Sequence, residues 1–378
     1  MYKSTKNIIP VTQPSLPPLA EFVDSLRDIW DRKWLTNNGI YHQHFEAALA
    51  EYLEVPYISV FCNGMIALQV GLQALEISGE VITTPYSFPA TTHAIKWNHC
   101  TPVFADIDPA NGNLDPAQIE AQITPQTSCI LPVHVYGNPC DVEGIAEVAK
   151  KHDLKVFYDA AHAFGVRRQG SSILKHGDLA MLSFHATKVF NSIEGGALIC
   201  ADPKMKQCID QLKNFGFVNE TTVVAAGTNG KMNEIQAAYG LLQLKYIDAE
   251  IAKRAELVAL YRRELANIPG VRLLETPSDV ESNYAYFPIF VDAKQYGHTR
   301  DELYEHLKQQ GIFGRRYFYP LISSFDDYKQ LPSANPKLLP VAEKLAAQVI
   351  CLPIYKELCL STVSQITQLI QDFRQSKQ

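Results

Sequence analysis

The 378-residue chain has eight cysteines, yet no CxxC pair and no regular spacing among them, which argues against a disulfide framework or a cysteine-built zinc site. No stretch reaches the roughly 18 apolar residues of a membrane span. Met1–Asn7 is polar and opens no signal peptide. Neither a Walker-type loop nor a Ser/His/Asp order appears. His42 and His44 are the one pair that suggests a metal. No acid or cysteine accompanies them at ligand spacing, so they read as helix-start residues and no metal is expected. The formal charge of −6 opposes bulk nucleic-acid binding while leaving room for a local basic pocket. What remains is an ordinary globular composition, 47% hydrophobic and 20% charged, large enough to need no covalent staple. A cytoplasmic, reduced protein is expected, with no membrane and no nucleic acid among its partners.

Helix and strand signals alternate from about residue 40 to 245. Short apolar runs at Tyr57–Cys62, Glu80–Thr84, Pro102–Asp106, Cys129–Val135, Leu154–Tyr158, Leu179–Phe184 and Ala197–Cys200 read as strands. Most lack period-2 alternation, as strands covered on both faces do. Helical spacing falls between them at Phe45–Leu53, Met65–Leu75, Ala90–Trp97, Pro116–Ile123, Val142–His152 and Lys204–Phe215. That order predicts an α/β fold with an open, mostly parallel sheet and ligands at the strand C-termini. Asn233–Ile268 is one long helical pattern, interrupted around Tyr246–Ala249. Beyond it, strands at Val271–Leu274 and Tyr284–Val291, a helix at Arg300–Gln310, a Tyr- and Pro-rich loop and two terminal helices make a smaller α+β domain. The division expected is 1–245 and 246–378.

The chemistry gathers at the predicted strand ends. Ser183-Phe184-His185-Ala186-Thr187-Lys188 puts a lysine past one buried strand, before the turn Glu194-Gly195-Gly196. Tyr158-Asp159-Ala160-Ala161-His162 puts an acid at the end of another. A strand-end lysine and acid are the minimum for holding pyridoxal 5'-phosphate (PLP): the lysine binds it covalently, and the acid keeps the ring nitrogen protonated. Each residue also has a plainer reading. Lys188 could be a solvated lysine, although the tight apolar corner around it suits a desolvated amine. Asp159 could be a helix N-cap, and His162 a surface histidine. Asn63-Gly64-Met65 joins a strand to a helix, as a phosphate cradle or as a simple turn. Phe88 could stack on a planar ring or sit at a rim. Arg315, Arg316 and Tyr317 could meet a diphosphate or line a domain interface.

Taken together the motifs resemble the DegT/DnrJ/EryC1/StrS family of PLP-dependent nucleotide-sugar aminotransferases over nearly the whole chain. The resemblance runs from Thr36-Asn37-Asn38-Gly39 and Pro85-Tyr86-Ser87-Phe88 through Leu131–Gly137 and the lysine and acid motifs. It continues with Gly227–Glu234 and Tyr317-Phe318-Tyr319-Pro320-Leu321. It implies PLP-dependent transferase fold type I, the aspartate aminotransferase fold. PLP would be covalent on the catalytic Lys188, with pyridoxamine phosphate as the intermediate form. By the same resemblance Asp159 binds the ring nitrogen, His162 lies near the ring hydroxyl and Phe88 stacks on the ring. Ser183 and the Gly64/Met65 backbone hold the phosphate. Asn229 reaches the phosphate of the other subunit, in a homodimer with shared active sites. His185 and Tyr317 fall to the substrate. Two departures stand out: Met65 replaces a usual threonine, and Lys231 a usual arginine.

The Phe184-His185 form resembles members that aminate C4, where those acting at C3 more often carry Tyr-Pro. The implied reaction moves an amino group from glutamate to a 4-keto-6-deoxy nucleotide sugar, dTDP-4-keto-6-deoxyglucose giving dTDP-4-amino-4,6-dideoxyglucose. A 3-keto or UDP/GDP-linked substrate is the alternative. Lys188 disfavours the sugar dehydratases, which carry histidine there. The lack of a DNA-binding appendage disfavours a non-catalytic regulator.

Overall fold

A computed structural model describes residues 8–376; the polar segment Met1–Asn7 lies outside the described residues. Two helices, α1 (Leu19–Arg32) and α2 (Ile40–Leu53), precede the first long strand. Seven strands share one sheet: β1 (Tyr57–Phe61), β2 (Glu80–Thr83), β3 (Thr101–Phe104), β4 (Thr127–Leu131), β5 (Lys155–Asp159), β6 (Leu179–Ser183) and β7 (Gly196–Cys200). Their order across the sheet is β1-β7-β6-β5-β4-β2-β3. β7 runs antiparallel to both its neighbours, and every other pairing is parallel.

Five further helices cover this sheet together with α2: α3 (Gly64–Ala74), α4 (Pro89–Trp97), α5 (Val142–His152), α6 (Pro203–Leu212) and α7 (Glu234–Leu244). Alternate residues of a strand face opposite sides. Val81, Phe157, Met181 and Leu198 therefore pack with α3, α4 and α6. Their neighbours Ile82, Tyr158, Leu182 and Ala197 pack with α2, α5 and α7. Two buried faces explain why the strands read as unbroken apolar runs.

The long helical pattern is two helices, α7 and α8 (Ile247–Leu265), parted at Lys245–Tyr246. After it, β8 (Val271–Leu273), β9 (Phe287–Val291) and β10 (Val349–Leu352) form an antiparallel sheet. It packs with α8, α9 (Arg300–Gln309) and α11 (Leu360–Gln375). A further helix, α10 (Pro340–Gln348), leads directly into β10.

Several boundaries differ from the sequence expectation. The strand expected to reach Val135 ends at Leu131, and Tyr136 takes a left-handed backbone (φ 59) in the turn beyond. The helix expected over Lys204–Phe215 ends at Leu212, because the chain reverses through Phe215 and Gly216 (φ 58 and 78). The strand expected from Tyr284 starts at Phe287. β10 was not separated from the helices around it: its four apolar residues continue the pattern of α10.

A fourth cluster joins the sheet to the C-terminal part. Tyr136 donates its hydroxyl proton to the Tyr317 carbonyl, and the Tyr86 hydroxyl, 2.5 Å from that of Tyr136, donates to the Tyr136 oxygen. Among the described residues no helix is long and apolar enough to cross a membrane.

Candidate active site

The parallel strands end along one edge of the sheet, where open α/β folds take ligands. A cavity of about 850 Å³ lies there. Its walls come from the β1–α3 junction, the start of α4, the ends of β5 and β6, and the C-terminal part.

Asp159 closes β5 and is 4% exposed. Each of its oxygens takes one donor: Thr91 Oγ1 on Oδ2 at 2.7 Å, and the Ala161 N–H on Oδ1 at 3.1 Å. Burial raises its pKa, against the pull of those two donors and of Lys188. Lys188 lies on the loop after β6. Among the described residues its amine makes no hydrogen bond or ion pair. Burial lowers it to about 8, and the Asp159 carboxylate offsets part of that fall. His162 accepts from the Tyr136 N–H at 3.3 Å and stacks on Phe318 at 5.8 Å. Burial and the nearby Lys188 keep it neutral, well below the usual histidine range. Phe88 precedes α4 at the cavity wall, 53% exposed.

At the other end, Asn63 caps α3 by accepting from the Ile66 N–H at 2.9 Å. The Gly64 and Met65 N–H groups have no partner among the described residues, as the first turn of a helix leaves them. Ser183 ends β6 beside them: a Cβ on Gly64 would lie 3.2 Å from the Ser183 Cβ. Gly196 makes this closeness possible. It pairs with both Phe61 and Ser183, and a Cβ there would fall 2.7 Å from the Gly64 nitrogen. The Gly-Gly turn read from the sequence is thus what lets the start of α3 rest on the sheet.

His185 stands at the cavity mouth. Its Nδ1 accepts from the Thr187 N–H at 3.2 Å, and its Nε2 lies 3.5 Å from Glu194 Oε1. Tyr317 and Arg315 line the same cavity, with the guanidinium 5.1 Å from the Tyr317 ring centre. Arg316 turns away to bind Asp301 at 2.7 Å.

Nine sequence-predicted residues therefore meet in one cavity: Gly64, Met65, Phe88, Asp159, His162, Ser183, His185, Lys188 and Tyr317. Asn229 is exposed and outside it, bridged to Asn214 on the loop after α6. Sequence reasoning missed Thr91, Glu194 and Tyr286. Thr91 had no signal, since α4 begins at Pro89 and helical spacing does not link it to Ser87. Glu194 and Tyr286 had none either.

These residues fit PLP. A buried carboxylate is available to a ring N–H, an unpaired amine stands near it, and two open backbone N–H groups beside a serine can take a phosphate. Fold and site together define a PLP-dependent transferase of fold type I. Residues 19–371 match the model of the DegT/DnrJ/EryC1/StrS aminotransferase family, and the chain belongs to that family. It is 51% identical over 367 residues to a dTDP-4-amino-4,6-dideoxy-D-glucose transaminase of Escherichia coli, covering 96% of this chain and 98% of that one. It is 49% identical over 364 residues to the transaminase of the same description from Shigella dysenteriae, with the same coverage. Among solved structures, DesI, determined in the presence of its TDP-sugar product, superposes with a TM-score of 0.93 at 36% identity, over 98% of this chain and 94% of that one. The protein is a sugar aminotransferase whose cofactor is PLP.

Proposed function

We propose that the protein transfers the amino group of glutamate to C4 of dTDP-4-keto-6-deoxyglucose, giving dTDP-4-amino-4,6-dideoxyglucose and 2-oxoglutarate. The observation that carries this is the full-length likeness, near half identity, to two transaminases of that description. His185 beside the lysine motif supports C4, and a cavity of about 850 Å³ suits a ligand larger than the cofactor alone.

Bound in the cavity, PLP supplies covalent attachment for an amine and a sink for electrons. The chain supplies the rest. Asp159 binds the ring nitrogen and holds its proton. His162, neutral, sits by the ring hydroxyl, and Phe88 covers a face of the ring. Ser183 and the Gly64 and Met65 N–H groups hold the phosphate, and Met65 serves through its backbone alone. Lys188 is the catalytic residue. With its pKa near 8, its amine accepts a proton from the donor's α-carbon and returns it on the other side of the reaction. His185, held by Glu194 and Thr187, and Tyr317 meet the sugar, with Arg315 placed for the diphosphate. Donor and acceptor use one cavity in turn, so ping-pong kinetics are expected.

The working unit is a homodimer in which Asn229 of the partner subunit reaches the cofactor phosphate. Its exposed position on each chain supports this. The cysteines are unpaired, in keeping with a cytoplasmic protein.

The test is a panel of 3-keto and 4-keto sugar nucleotides on dTDP, UDP and GDP, each incubated with glutamate. Product mass and NMR at C4 read the outcome. Amination confined to 3-keto sugars, or to another nucleotide, would overturn the substrate assignment.

A further inference from the structure

Asp159 ends a chain of buried hydroxyls whose role the sequence did not reveal. Ser87 and Thr91 are 4% and 0% exposed. Ser87 Oγ lies 2.9 Å from Thr91 Oγ1, which lies 2.7 Å from Asp159 Oδ2. A hydroxyl has one proton to give. An ionised carboxylate only accepts, so the Thr91 proton goes to Asp159. Thr91 Oγ1 can then only accept from Ser87, and the chain runs one way, Ser87 to Thr91 to Asp159. Hydrogen bonds aligned head to tail strengthen one another and are worth most where water is excluded. Ser87 also lines the cavity, so the relay starts at the wall and ends on the acid.

We propose that Thr91, backed by Ser87, is a positioning residue that keeps the Asp159 carboxylate charged and turned toward the cofactor's ring nitrogen. The proposal rests on the reading of Asp159 as the ring-nitrogen partner. Burial alone drives this carboxyl toward its neutral form, and the Thr91 hydroxyl is the foremost influence opposing that. The other titratable groups facing Asp159 contribute less. Lys188 favours the charge, while His162 and His134 are both neutral through burial, His134 at about 3. Cys140, on the loop after β4, is an uncharged thiol pushed far above its usual range. Helix α4 carries Thr91, the middle of the relay. Pro89 starts it, so Thr91 lies in the first turn, where a helix end favours negative charge.

The experiment uses the intact protein loaded with PLP and compares Thr91→Val, Thr91→Ser, Ser87→Ala and Asp159→Ala with the parent. Two readouts are taken: the pH midpoint of the bound cofactor's visible absorbance, and the affinity of the cofactor-free protein for PLP. Without the hydroxyl, Asp159 holds the ring-nitrogen proton less well, and less positive charge lies near the Lys188 linkage. Thr91→Val should therefore shift the absorbance midpoint upward by about one unit and weaken PLP binding about tenfold, the scale of one lost hydrogen bond to a charge. Ser87→Ala should shift it the same way by less, and Thr91→Ser should restore the parent values. A Thr91→Val protein that titrates and binds like the parent overturns the proposal. So does one whose defect Thr91→Ser does not repair, since the hydroxyl is then not what matters. Asp159→Ala separates the two readings: if it too behaves like the parent, the assignment of Asp159 itself fails.

Discussion

Burial drives Lys188 and Asp159 both toward their neutral forms, the amine's pKa pushed down and the acid's pushed up. Bound PLP would relieve the acid with its protonated ring and use the amine for covalent attachment. Two outcomes follow from the side chains alone. Replacing Lys188 by alanine should cut turnover by about 10²–10⁴-fold or more, the scale of a lost proton-transferring group; steady-state assay with glutamate and the keto sugar measures it. Attachment of PLP to the cofactor-free protein needs the neutral amine. Because the Lys188 pKa lies near 8, the attachment rate should rise with pH through about that value and level off above it. Stopped-flow absorbance after adding PLP reads this directly, and a midpoint near the ordinary lysine value would refute the depression. Lys188, Asp159 and Ser183 could be found in the sequence because each sits at the end of a recognisable apolar strand. Thr91 could not, since a helix-start threonine looks the same whether it faces water or a carboxylate. Only the fold brings residues 91 and 159 together.

Among the elements, the contact that bears most on the cofactor is a close one, between the start of α3 and the first residue of β7. Gly196→Ala would place a methyl carbon 2.7 Å from the Gly64 nitrogen and 2.8 Å from the Asn63 carbonyl carbon. Both are backbone atoms that cannot swing aside. Overpacking of this kind should cost about 1–3 kcal/mol in stability. PLP affinity should fall with it, because the displaced N–H groups are those assigned to the phosphate. Urea denaturation and cofactor titration together test the point; a variant as stable as the parent, with the same affinity, would show that α3 can shift freely. Elements with strong periodicity, such as α5, were readable to the residue. Strand direction was not, because an apolar run is the same read from either end. That is why the reversal at β7 and the short strand β10, hidden between two helices, came only from pairing.

Across the whole molecule, the segment from Phe215 to Val224 projects a hairpin in which Phe217 pairs with Val223. Phe217, Val218, Val223 and Val224 are 40%, 47%, 56% and 57% exposed. Single exposed apolar residues are ordinary, but these four with Phe215, itself exposed, make five in one short segment and mark a surface meant to be covered. Asn229 follows closely in the chain. The proposed homodimer predicts that Phe217→Asp with Val223→Asp gives a monomer by light scattering. That monomer should bind PLP weakly, having lost the partner's asparagine, even with its own Lys188 and Asp159 intact. A double variant that stays dimeric would move the interface elsewhere. The antiparallel strand β7 also governs the order in which this molecule can assemble. Among the described residues β1 pairs in the sheet with β7 alone, so it must wait until the chain has been made as far as Cys200. Closing so long a loop is slow, because its entropy is lost before any contact is gained. A growing chain can therefore fold its middle strands early, yet the floor under α3 is laid only when its first strand and its last are joined. No ribosome-bound fragment shorter than that should capture the cofactor.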